Sequence, residues 1–183
     1  DTLDVTLDYQ DGSGLTARKV YQFKRGSYEV SLQQTLTNRG SQALTASPYV
    51  RLQRTLYNSG DEPRFSKTFK GIGVYEQKEN ASTKYRFRKE AFDKLGDAPI
   101  ELKQTGGWIG FLQHYFLVAI LPPAGETPSL TAKPARNGSY IAQYVGAAAE
   151  VAPGATQTFT THLYAGPKLQ NSVGAVAPGL ELS

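Results

Sequence analysis

Apolar and polar residues alternate with period two along most of this chain. Leu3, Val5, Leu7 and Tyr9 interleave with Asp4, Thr6 and Asp8, which predicts a half-buried strand. Asp11-Gly12-Ser13-Gly14 is turn chemistry, and a return strand is expected from Leu15 to Phe23. After Arg25-Gly26, Tyr28, Val30, Leu32 and Leu36 repeat the alternation up to Asn38-Arg39-Gly40. Three strands with tight connections predict an antiparallel meander. A strand near Tyr49 to Tyr57 follows, with Val50, Leu52 and Leu56 on one face. The stretch from Phe65 to Leu95 is the least regular, and Lys89 to Leu95 reads as a short helical turn. Ile100 to Gln104 is a further strand. The segment from Gly106 onward predicts two strands, or one long bent strand, ending at Pro122-Pro123. Ala135-Arg136-Asn137-Gly138 is a hairpin turn before the alternation of Tyr140, Ala142, Tyr144 and Gly146. Ala152-Pro153-Gly154 then leads into a last strand from Thr156 to Tyr164.

The period changes only near the end. Pro167 suits the first turn of a helix, and Leu169, Val173 and Val176 then form one apolar stripe at helical spacing. Pro178-Gly179 stops it. A helix over about 167–177 with Gly174 inside is too short to stand alone, so it needs a surface to dock on. About a dozen short strands and one helix predict a single all-β, sandwich-like domain over 1–183.

Composition narrows this picture only modestly. The chain has 183 residues, 39% hydrophobic and 20% charged, enough to bury a core. It contains no Cys, so disulfide and thiolate chemistry are excluded. It also has no Met and opens at Asp1, which is expected of a processed product or an excised piece. The longest apolar run, Tyr115 to Leu121, is far short of the roughly 20 residues of a membrane helix. The net charge of +4 is local: eight Lys or Arg lie between Arg64 and Lys89, against Glu76 and Glu79.

Candidate chemistry is sparse. His114 and His162 are both expected in strands, where pairing would bring them together, but their spacing matches no metal motif. Asp4 and Asp8 share a solvated face, and Glu76 and Glu79 sit among lysines, so ion pairing explains them better than glycoside chemistry. There is no Gly-x-Ser-x-Gly elbow, and Gly71-Ile72-Gly73 lacks the rest of a phosphate loop. No catalytic residue, cofactor or metal is expected. Lys84, Arg86 and Arg88 alternate with Tyr85 and Phe87. The rings are expected to face the core, and the cations to be solvated or to face anionic lipid or an acidic partner; nucleic acid is disfavoured. The densest stretch holds Gly106, Gly107, Trp108, Gln113, Tyr115 and Phe116, including the only Trp. Two glycines before a bulky ring let two backbones approach closely, which points to architecture.

The run from Gly106-Gly107-Trp108 to Gln113-His114-Tyr115-Phe116 resembles the large periplasmic domain of the YidC membrane-protein insertases. Tyr164-Ala165-Gly166-Pro167-Lys168 and Val176-Ala177-Pro178-Gly179-Leu180-Glu181-Leu182 resemble its final stretch, and the opening Leu3-Asp4-Val5 and Phe23 to Tyr28 are also similar. The resemblance implies a β-supersandwich of the galactose-mutarotase-like type, on the periplasmic side of the bacterial inner membrane. It implies a non-catalytic domain that supports insertion and folding of inner-membrane proteins. Leu169, Val173 and Val176 would dock the helix. The implied partners are the transmembrane core of the same protein, Sec translocon subunits and nascent membrane proteins. The alternative is a carbohydrate-binding or mutarotase-like sandwich with a cleft lined by Tyr115, Tyr140 and Tyr144, or a cleft holding an extended peptide.

Overall fold

The computed structural model describes residues 1–55, 69–79, 81–168 and 173–183. Among these residues, fourteen strands form three antiparallel sheets. They are β1 (Thr2–Gln10), β2 (Leu15–Lys24), β3 (Glu29–Asn38), β4 (Leu44–Ala46), β5 (Tyr49–Thr55), β6 (Gly71–Lys78) and β7 (Ala81–Ala91). The chain continues with β8 (Ile100–Lys103), β9 (Trp108–Leu112), β10 (Phe116–Leu121), β11 (Ser129–Pro134), β12 (Ser139–Val145), β13 (Ala149–Val151) and β14 (Thr156–Pro167). The large sheet has eight strands in the order β1-β2-β3-β14-β10-β9-β6-β7. A four-stranded sheet, β5-β12-β11-β8, packs against it, and β13 pairs with β4.

Cross-strand register decides which side chains meet between the layers. Leu163, Ile120, Ile109 and Val74 are opposed in sequence across β14, β10, β9 and β6, so they share the inner face of the large sheet. They pack with Leu130, Ala132, Ala142 and Tyr144 of the small sheet. Phe92 and Leu95 join this core from a short 3₁₀ turn over Phe92–Lys94, the observed form of the helical turn expected between Lys89 and Leu95. Each buried Leu, Ile or Phe contributes about 1.5–3 kcal/mol by leaving water.

The first three strands form the expected meander, but β1 departs from the expectation of a half-buried strand. All nine of its residues are exposed, with Leu3 at 64% and Tyr9 at 62%. Val5 lies opposite Tyr21, which lies opposite buried Leu32, so the stripe is on the inner face. Alternation selected the correct face; the four-stranded layer does not extend over it.

The segment expected to be irregular contains all of β6 and β7, a long hairpin. Residues 56–68, which include the end of the strand expected to Tyr57 and the start of the irregular segment, lie outside the described residues. At the Asn38 turn, the buried side-chain amide donates to Gln42 O (2.8 Å) and Val151 O (2.9 Å), while Oδ1 accepts from Gly40 N. A buried amide with these bonds satisfied pins two loops to one strand end.

Candidate interaction site

The outer face of the large sheet carries a second apolar layer. Trp108, Leu112, Leu117, Ala119, Leu121 and Tyr164 are buried there, together with Val173 and Leu180 from the end of the chain. Trp108 is 1% exposed, although no sheet among the described residues covers that side. Its cover is the segment 173–182.

The two glycines before Trp108 perform the expected close approach. Gly106 and Gly107 have φ of 71° and 81°, the left-handed region that favours glycine. A Cβ on Gly107 would stand 2.1 Å from Tyr75 O and 2.4 Å from Gln104 Nε2. That Gln104 amide is buried and bridges the turn, donating to Tyr75 O (3.1 Å) and Gly106 O (3.2 Å). With the turn held, Trp108 lies opposite Tyr75, their rings near parallel at 6.5 Å. Tyr85 stacks on the far side of Tyr75 at 5.2 Å, and Phe87 tilts against Trp108 at 5.6 Å. These four rings make a platform.

The final segment locks onto that platform by two contacts. Trp108 Nε1–H donates to Pro178 O at 3.1 Å. Gly179, with φ of 79°, sits directly on Tyr75: a Cβ there would be 2.4 Å from the ring. Val173 is buried, and Val176 packs partly buried against the same layer. Gly106-Gly107-Trp108 and Pro178-Gly179, some seventy residues apart, therefore form one joint.

The terminal helix expected over 167–177 is not clearly shown, since residues 169–172 lie outside the described residues. β14 continues through Pro167, which pairs with Phe116, and Leu169 lies outside the described residues. Val173 is helical, and after it the chain makes turns, with Val176 N and Ala177 N both donating to Val173 O, before a 3₁₀ turn at Leu180–Leu182. Val173 is buried on the outer layer and Val176 packs partly buried against it, which is the contact a docking role requires.

Beside this joint runs a groove of about 770 Å³. Pro122, Pro123 and Gly125 line it together with Val176 and Pro178, and Trp108 and Tyr75 contribute the aromatic part. Its polar part holds Glu29 and His162, with Nδ1 to Oε1 at 2.8 Å. His162 is on β14, whereas His114 is on the β9–β10 turn with its ring 4.0 Å from Tyr115. The two histidines do not meet as a pair, because the residue expected in a strand is where the chain reverses.

The remaining candidates are dispersed. β9 and β10 form the two-strand version of the expected Gly106 segment, and Gln113 N donates to Phe116 O across their turn. The Gln113 amide oxygen, turned toward Arg54, lies 2.8 Å from Nη1. Tyr115 and Phe116 stand out from this turn, 69% and 54% exposed. The proposed sugar cleft is corrected: Tyr144 is buried in the inner core, Tyr140 stacks on Phe92, and Tyr115 is on the turn. Tyr144 O–H donates to Glu126 Oε2 at 2.7 Å; burial first, then this carboxylate, raises its pKa.

Arg86 and Arg88 are committed to Glu76. Arg88 makes two bonds of 2.8 Å to its carboxylate, and Arg86 Nη2 stands 2.8 Å from Oε1. The Glu76 side chain is 4% exposed. Burial opposes its charge, but the two guanidinium groups outweigh burial and hold its pKa below the usual range. These cations neutralise a buried acid, and Lys84 remains exposed on the same strand. The expected ring placement holds, since Tyr85 and Phe87 face the outer aromatic layer. Tyr75, Glu76 and Gly179 were missed as functional partners; a glycine directly after Pro178 was the only sequence signal for the third.

Two packed antiparallel sheets with this topology define a galactose-mutarotase-like β-sandwich. A galactose mutarotase-like protein from Lactobacillus casei superposes with a TM-score of 0.59, covering 90% of this chain and 69% of that one at 9% identity. A GH36 α-galactosidase from Geobacillus stearothermophilus reaches 0.62 at 11% identity, over 93% of this chain and 24% of that one. These likenesses show the fold alone.

The sequence comparisons are more specific. The model of the YidC periplasmic domain matches residues 1–183, and the chain belongs to that family. It is 36% identical over 184 residues to the membrane protein insertase YidC of Methylococcus capsulatus, and 33% identical to that of Bordetella parapertussis. All of this chain is covered in both, but only 33% and 31% of those proteins; it spans about a third of their length.

Proposed function

We propose that this domain is a non-catalytic support of a membrane protein insertase, coupled to the rest of that protein through the joint between Trp108 and Pro178-Gly179. The observation that carries the reading is the 3.1 Å bond from the only indole of the chain to Pro178 O, beside the Gly179–Tyr75 contact. It fixes the last residues of the domain to the sandwich instead of leaving them a flexible tether. A rigid exit transmits the orientation of the sandwich to whatever follows, which a flexible linker cannot do.

The partner in this reading is the transmembrane core of the same protein, at the periplasmic face of the bacterial inner membrane. Sec translocon subunits and nascent membrane proteins are the further partners of the proposal, and the open groove beside the joint is the surface offered to them. Its proline and valine walls with an aromatic part suit an extended apolar segment. The sugar reading loses its specific support, because its three tyrosines do not share a cleft.

Val173→Asp tests the proposal. It places a charge where the side chain is now buried on the outer layer, so the segment should leave the sheet while the inner core survives. The full-length insertase carrying it should reach normal membrane levels and insert substrates poorly. Normal insertion would remove the coupling role.

A further inference from the structure

The large sheet has one rim unlike the other. At this rim lie the start of β1, the β2–β3 turn, the end of β14 and the β9–β10 turn. Their adjacency follows from Thr2 opposite Lys24, Ala165 N bonded to Tyr28 O, and Phe116 opposite Pro167. Tyr28, Tyr115 and Phe116 project here with 49%, 69% and 54% of their surface exposed, and Leu3 and Phe23 flank them. The opposite rim of β1, β2, β3 and β14 is made of polar, glycine-rich turns, Asp11-Gly12-Ser13-Gly14, Asn38-Arg39-Gly40 and Pro153-Gly154, with the exposed ring of Tyr9 beside them at the end of β1. Exposed aromatic rings gathered on one rim are not the scatter expected of a solvated surface.

We infer that this rim rests on the phospholipid bilayer, with the rings of Tyr28, Tyr115 and Phe116 at the level of the lipid headgroups. Two independent observations favour a bilayer. The first is chemical: rings standing out of turns beside Lys24, Arg25 and Lys168 match the amphipathic headgroup layer, where aromatics anchor and cations meet phosphate. The neighbouring acids are Asp1, which is ion-paired with Arg25 at 3.3 Å, Glu29, whose Oε1 lies 2.8 Å from His162 Nδ1, and Glu181. The second is connectivity. The relatives are membrane protein insertases about three times as long as this chain. Ser183 and Glu181 line one small cavity with Tyr115 and Lys168, and Arg25 N donates to Asp1 O, so both chain ends open at this rim. Continuations toward a membrane from either end would bring the aromatic rim to the surface.

The inference rests on the support reading above, but its test does not use insertion activity, so the two fail separately. The chain has no cysteine, so single labels can be placed cleanly. Tyr115→Cys, Tyr28→Cys and, on the opposite rim, Ser13→Cys would each carry an environment-sensitive fluorophore. The protein to use is the longer insertase, cleared of other cysteines, in phosphatidylethanolamine–phosphatidylglycerol vesicles. Labels at 115 and 28 should shift to the blue and be quenched several-fold more by headgroup-proximal spin-labelled lipid than the label at 13. Equal quenching at all three sites, or none at 115 and 28, overturns the inference. So does a blue shift without lipid quenching, which would mean that protein covers the rim. Tyr115 and Ser13 are exposed residues of connections, whereas the Tyr28 ring rests on Gly166 and Tyr164, so the fold of each labelled protein is checked by circular dichroism and the label at 115 carries the decision.

Discussion

Replacing Gly179 by Ala should detach the end of the chain from the sandwich without unfolding it. The added Cβ would have to occupy a left-handed backbone position and stand 2.4 Å from the Tyr75 ring. The backbone term costs about 1–2 kcal/mol and the overpacking about 1–3 kcal/mol, so the docked state rises by about 2–5 kcal/mol. Docking buries Val173 and Leu180, at about 1.5–3 kcal/mol each, and adds one hydrogen bond of about 1 kcal/mol, before the entropy of ordering the segment reduces the sum. The penalty therefore rivals the net docking energy, and release of the segment relieves it. Trp108 reports the event directly, because it is the only Trp and the segment covers it. Its emission should move to the red and become accessible to acrylamide, while far-ultraviolet circular dichroism stays that of the wild type. Unchanged emission and quenching in Gly179→Ala would refute the argument that this segment is the cover and Gly179 its seat.

Three other outcomes follow from the same geometry. Gly107→Ala, whose Cβ would meet Tyr75 O and the Gln104 amide, should destabilise the whole domain by about 2–5 kcal/mol, read as a fall in denaturant midpoint. Glu76 has a lowered pKa when folded, so its stabilisation is present above the ordinary carboxylate range and lost as pH falls through the folded value. Glu76→Gln should cost about 1–3 kcal/mol at neutral pH and flatten the loss of stability on acidification, measured by urea unfolding at several pH values. The raised pKa of Tyr144 makes the opposite prediction in alkali. Its contribution is intact below the ordinary tyrosine value and lost as pH rises above it, so Tyr144→Phe should weaken the alkaline unfolding transition.

The sequence made the strands legible wherever one face had to be apolar. β2, β3, β12 and β14 lie close to where alternation placed them. The hairpin of β6 and β7 was hidden because Gly71 and Gly73 lighten one strand. In the other, Arg86 and Arg88 point inward to a buried acid, a pattern that reads as solvent exposure until Glu76 is placed opposite. Exposure of β1 was illegible for another reason: alternation tells which residues share a face, not whether a second layer reaches it. The joint was half legible. Gly106-Gly107-Trp108 announced a close approach, and the apolar spacing of Val173 and Val176 announced a docking segment. Their meeting depends on tertiary register, which a period of 3.6 over so few residues cannot show.

The most direct test of the central claim measures docking and insertion in one protein. Full-length insertase carrying Val173→Asp together with Gly179→Ala would be reconstituted at wild-type levels. A label in the segment would report its release, and a membrane-protein substrate would report insertion. The account predicts a released segment, a folded sandwich and insertion reduced several-fold. Wild-type insertion with the segment demonstrably released would contradict it.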